Sequence, residues 1–129
     1  MKQTSLKKVL IIEDDVSLLK VLSSGLSNQE FEVITAVDGE EGLAVALREK
    51  PNLILLDLFM PKMDGITMLK KLREDEWGKK VKVIILTNIE DREKLAAAVE
   101  NRVYDYMIKT NWNISDVLKK IRIELKYTE

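Results

Sequence analysis

The chain has 129 residues, of which 33% are charged and 46% hydrophobic, and a formal net charge of −1. That length makes one domain the default, and that balance excludes a disordered chain or one built from membrane spans. With no cysteine and no histidine, disulfides, thiolate zinc sites and imidazole catalysis are ruled out, so any chemistry falls to carboxylates, hydroxyls and lysines. The near-zero charge gives no overall attraction for nucleic acid or anionic lipid. Residues 1–8 carry lysines with no long apolar stretch behind them, unlike a secretory signal. The expectation is a cytoplasmic protein without membrane insertion and without direct nucleic-acid binding.

The elements alternate along the chain. A β-branched run, Val9–Ile12, predicts the first strand. Leu18, Leu19, Leu22 and Leu26 then fall on one helical stripe, with Asp14 or Asp15 as its cap. Phe31–Ala36 predicts the second strand. The second helix opens at Asp38, with Glu41 three residues later in a capping-box-like pattern, buries Leu43, Ala46 and Leu47, and stops before Pro51. Leu53–Leu56 is the third strand, followed by a helix from about Asp64 to Glu74 with Ile66, Leu69 and Leu72 inward. Val81–Leu86 is the fourth strand, and Leu95, Ala96, Ala97 and Ala98 are strong helix formers after it. Tyr104–Ile108 is the fifth strand. Asn113 and Asp116 then start a helix whose inner face is Ile114, Val117, Leu118, Ile121 and Leu125.

Strands alternating with helices predict an α/β fold, closed most simply as a (βα)5 doubly wound parallel sheet of strand order 2-1-3-4-5, the flavodoxin-like arrangement. Residues 1–129 are expected to form a single domain with no output domain. Ligands of such sheets bind beyond the carboxyl ends of the strands. There the sequence places Glu13, Asp14 and Asp15 after the first strand, Asp57 after the third, Thr87 after the fourth and Lys109 after the fifth. Asp15 lies where the first helix begins and serves best as its cap. Asp57 ends a run of four apolar residues, and a carboxylate abutting a buried strand requires partners. Carboxylates gathered there repel one another unless a cation is present, and an oxygen-only donor set suits Mg2+.

The motifs Val9-Leu10-Ile11-Ile12-Glu13-Asp14-Asp15, Leu55-Leu56-Asp57-Leu58-Phe59-Met60-Pro61-Lys62-Met63-Asp64-Gly65, Ile85-Leu86-Thr87 and Asp105-Tyr106-Met107-Ile108-Lys109 resemble those of bacterial two-component response-regulator receivers. The chemotaxis regulator is the single-domain example of that family. The resemblance spans nearly the whole chain. It implies that Asp57 is the phosphoacceptor, and that Asp14, Asp57 and the Phe59 carbonyl ligate Mg2+, with Glu13 acting through water. It implies further that Thr87 hydrogen-bonds the phosphoryl group, that Lys109 pairs with it, that Tyr106 turns inward when Thr87 moves, and that Pro61 and Gly65 shape the loop after the acceptor. The implied partners are a histidine kinase or phosphotransfer protein and a downstream protein that reads a face at about residues 91–126. The resemblance also admits a dimer formed on phosphorylation.

Three positions depart from the family pattern: Asn88 after the threonine, Arg102 where glycine is common, and Thr110 where proline usually follows the lysine. The second leaves Asn101 to take a left-handed backbone, and the third predicts a trans bond between Lys109 and Thr110, because a cis bond before a non-proline residue costs ~2.5–4 kcal/mol. Phe59 and Ile89 are placed to screen water from an acyl phosphate, which predicts slow loss of the phosphoryl group. Rival readings fare worse. A docking-only receiver has no need of the intact acidic pair, acceptor, threonine and lysine. A haloacid-dehalogenase-like phosphatase needs an aspartate where Phe59 stands, and the acids at residues 13–15 would repel a flavin phosphate.

Overall fold

A computed structural model of the chain describes residues 6–27, 31–87, 92–101, 105–108 and 113–126. The order is β1 (Lys7–Ile12), α1 (Val16–Ser27), β2 (Phe31–Ala36), α2 (Gly39–Glu49), β3 (Leu53–Asp57), α3 (Gly65–Arg73), β4 (Lys82–Thr87), α4 (Arg92–Glu100), β5 (Asp105–Ile108) and α5 (Ile114–Lys126). The five strands form one parallel sheet of order β2-β1-β3-β4-β5, as the alternation predicts.

Side chains alternate across each strand, and each set has its own core. Val9, Ile11, Leu53, Leu55, Ile84 and Leu86 meet α1 and α5 through Leu22, Leu26, Val117 and Ile121. Leu10, Ile12, Ile54, Leu56, Val83 and Ile85 meet α2 and α3 through Val45, Ala46, Met68, Leu69 and Leu72, with Ala98 of α4. Strand β3, covered on both faces, is buried at every residue. Each such Leu or Ile contributes roughly 1.5–3 kcal/mol by leaving water.

The helix starts follow the cap signals. Leu18 N–H donates to Asp15 Oδ1 at 3.1 Å and Thr67 N–H to Asp64 Oδ1 at 2.8 Å. At α2, Glu41 N–H donates to Asp38 Oδ1 at 2.7 Å, but the Glu41 carboxylate reaches back to the Val37 N–H at 2.8 Å, one residue earlier than a standard capping box. Asn113 and Asp116 make the reciprocal pair, each side chain accepting from the other's backbone N–H at 3.0 Å.

Three expectations are corrected. Helix α2 buries Gly42, Val45 and Ala46, with Leu43 and Leu47 half-buried, because Gly42 lies against the Ile12 side chain and turns the small residues inward. Strand β4 begins at Lys82, one residue later than expected, since the Val81 carbonyl accepts from Arg73 Nη1 at 2.8 Å. Among the described residues, left-handed backbone at non-glycine positions falls at Lys50 (φ 48°) and Lys62 (φ 68°), and Asn101 is not one of them.

The buried Arg73 guanidinium also donates from Nη1 to Gly78 O at 2.7 Å and from Nε to Asn101 O at 2.8 Å. It ties the end of α3 to the loop before β4 and to the residue after α4. No helix among the described residues is long and apolar enough to cross a membrane.

Candidate functional site

Register brings the acidic residues together. Ile12 pairs with Leu56, so Glu13 and Asp57, the next residues on neighbouring strands, stand side by side. The Glu13 N–H continues the ladder to Ala36 O at 3.1 Å. Glu13 is 1% exposed and Asp57 3%, while Asp14 is exposed. Carboxylate oxygens of Glu13, Asp14 and Asp57 all lie within 4.8 Å of one another. Glu13 Oε2 accepts from the Asp15 N–H at 3.1 Å, and Asp57 Oδ1 from the Phe59 N–H at 3.4 Å. Asp15, whose carboxylate caps α1, stands outside this group.

The loop after Asp57 is tightly folded. Gly65 N–H donates to Leu58 O at 2.9 Å, and Met63 N–H to Pro61 O at 2.7 Å across Lys62, whose φ of 68° makes a strained three-residue turn. Lys62 Nζ lies 4.0 Å from Asp38 Oδ2 at the start of α2. Pro61 and Gly65, expected to shape this loop, flank Lys62, and the left-handed residue of the turn is Lys62 itself. The Phe59 ring is 43% exposed.

The other strand ends are placed by backbone register alone. Asp57 pairs with Leu86, Thr87 follows as the last residue of β4, and Thr87 pairs with Ile108 while Tyr106 pairs with Ile85. The side chains of Thr87 and Tyr106 lie outside the described residues, as do Lys109, Asn88, Ile89, Arg102 and the Lys109–Thr110 bond.

Three oxygen donors converge at the carboxyl edge of the parallel sheet, two of them buried, a grouping of like charges that a hard cation would offset. Residues 9–122 match the response regulator receiver domain family. The chain belongs to that family. Curated relatives of the receiver include the probable transcriptional regulator ycf27 of Cyanophora paradoxa, 35% identical over 95% of this chain and 50% of that protein. The alkaline phosphatase synthesis transcriptional regulatory protein PhoP of Bacillus subtilis is 33% identical over 95% of this chain and 53% of its own length. The receiver thus spans about half the length of these relatives. A CheY-like receiver domain protein from Methanospirillum hungatei superposes with a TM-score of 0.88 at 31% identity, covering 95% of this chain and 96% of that one. The chemotaxis protein CheY4 of Vibrio cholerae gives 0.84 at 29% identity, covering 92% and 98%. Phosphorylation-dependent switching is the general function of such receivers, and they bind Mg2+ at an acidic pocket of this kind.

Proposed function

We propose that this chain is a phosphorylation-activated signalling switch that takes a phosphoryl group onto Asp57, in an Mg2+-dependent reaction, from a histidine kinase, a phosphotransfer protein or a small phosphodonor. The observation that carries the proposal is the Glu13–Asp14–Asp57 cluster, with the acceptor carboxylate ending a fully buried strand. The three carboxylates fit the ion, being all oxygen and formally trianionic: by the family pattern Asp14, Asp57 and the Phe59 carbonyl would hold it, with Glu13 acting through water. When bound, it neutralises charge on the reacting oxygens. An Asp57 carboxylate oxygen attacks phosphorus in line, forming an acyl phosphate as the bond from phosphorus to the donor breaks. Thr87 donates its hydroxyl to the product phosphoryl group, and Lys109 pairs with it.

The added charge draws Thr87 and Lys109 inward, and Tyr106 follows. The face at residues 91–126 changes shape and binds a downstream protein or a second copy of the chain. Residues 1–129 act as one receiver unit in the cytoplasm, with no nucleic-acid contact of their own. Intact-mass measurement with a small phosphodonor tests the proposal. Wild type gains one phosphoryl group only with Mg2+, and Asp57→Asn gains none. Equal modification of both proteins, or modification undiminished by a chelator, sinks the assignment of Asp57.

A further inference from the structure

At the end of the sheet away from the acidic cluster, where β3 and β4 begin, lies a cleft of about 410 Å³. Its walls are the connections from α2 to β3 and from α3 to β4, and its volume is within the ~300–1,000 Å³ range of small-molecule sites. Pro51 and Val81 are buried in it, and Trp77 is half-buried and packs against the core cluster to which Leu72 and Val81 belong. An aromatic side chain therefore lines the cleft.

The polar groups around this floor are biased toward one charge. Lys82 pairs with Glu124 at 3.7 Å, and Glu76, whose side chain is 94% exposed and turned to solvent, pairs with Lys79 at 3.2 Å. Lys50 and Lys80 make no ion pair among the described residues. Asn52 uses its Oδ1 on the Lys8 N–H at 2.7 Å, which leaves its amide N–H groups as donors. The uncompensated groups are thus two ammoniums and an amide. Lys50 has a further peculiarity, because it ends α2 in the left-handed conformation, at a position where glycine is the usual solution. One wall is braced from behind, since Arg73 Nη1 donates to the carbonyl of the lining residue Val81 at 2.8 Å.

We propose that this cleft binds a small phosphorylated aromatic ligand of nucleoside monophosphate size, its phosphate held by Lys50, Lys80 and Asn52 and its base laid on Trp77. The site is separate from Asp57 and does not depend on the reading of that residue.

The test is an amide and indole N–H chemical-shift titration of the full chain with adenosine 5′-monophosphate, in the presence of a chelator so that the acidic end stays metal-free. Saturable shifts are expected at Lys50, Asn52, Lys80 and the Trp77 indole. Adenosine and inorganic phosphate are expected to bind at least about tenfold more weakly, and a Lys50→Gln, Lys80→Gln double variant about tenfold more weakly than wild type, each tenfold step being one decade in Kd. Both lysines are exposed, so the variant keeps its fold, and an unchanged unfolding midpoint verifies that. Equal shifts with inorganic phosphate would mean an adventitious ion only. That outcome, shifts unchanged in the double variant, or no saturation at millimolar nucleotide would overturn the proposal. Tighter binding of a short single-stranded oligonucleotide would overturn the assignment to a free mononucleotide.

Discussion

Gly65 sits against the end of β3, where a Cβ would overlap the Asp57 carbonyl oxygen and lie 2.8 Å from Leu58 Cα. Both obstacles are backbone, so neither yields cheaply. Gly65→Ala is therefore expected to push α3 off the end of β3 and to cost about 1–3 kcal/mol, the usual range for overpacking. Urea denaturation measures it, and an unshifted midpoint would show that the start of α3 has room to spare. A gentler effect belongs to Glu49, whose carboxyl is held below its ordinary value by the Arg48 guanidinium, at 3.2 Å, and by Lys8, at 3.4 Å. Because the folded-state value is the lower one, this contribution is present above the ordinary carboxylate range and is lost as pH falls through it. Stability of wild type and Glu49→Gln should accordingly differ slightly at neutral pH and converge in acid. A gap that widened in acid would reverse the sign. At this scale Asp57 was legible because an acid after four apolar residues has few bland explanations, whereas Pro61 and Gly65 announced a turn without showing that Lys62 would take the left-handed backbone.

Among the elements, the caps show how far local chemistry carries. Asp38 closes the start of α2 and is itself buried at 8% exposure. Asp38→Ala should cost about 0.5–2 kcal/mol, the range for losing such a cap. Thermal unfolding checks this, and a loss restored by Asp38→Ser would confirm that the cap is responsible. The Asp38 cap of α2 and the cap pair at α5 could be read directly, because each depends on residues three apart, whereas the Glu41 carboxylate went to Val37 instead of Asp38. The inward face of α2 could not. Leucine periodicity favours Leu43 and Leu47, but Gly42 lets the helix approach Ile12 so closely that Val45 and Ala46 fill the seam. Likewise Val81 reads as strand by its side chain, yet its carbonyl is taken by an arginine eight residues earlier in the chain. Periodicity records side chains, and both misreadings came from the backbone.

For the molecule as a whole, the alternation of strand and helix left little freedom in topology, and the sheet order follows it. What alternation cannot express is the bond from Arg73 to the carbonyl of Asn101, which lies 28 residues away. Its partners at Gly78 and Val81 are only 5 and 8 residues distant. During folding those nearer bonds can form as soon as the chain turns after α3, while the Asn101 carbonyl arrives only when α4 docks. Arg73→Lys replaces a planar fork by a point charge and should cost about 1–3 kcal/mol, as expected for buried acceptors left short of donors. If α4 docks after the transition state, that loss appears almost wholly as faster unfolding, with the folding rate nearly unchanged. Stopped-flow chevrons separate the two limbs, and a slowed folding limb would place α4 in the nucleus. If α4 docks late it is also the first element to detach, and the lifetime of the native state would then depend on the Arg73 bond to Asn101 together with the packing of Ala98.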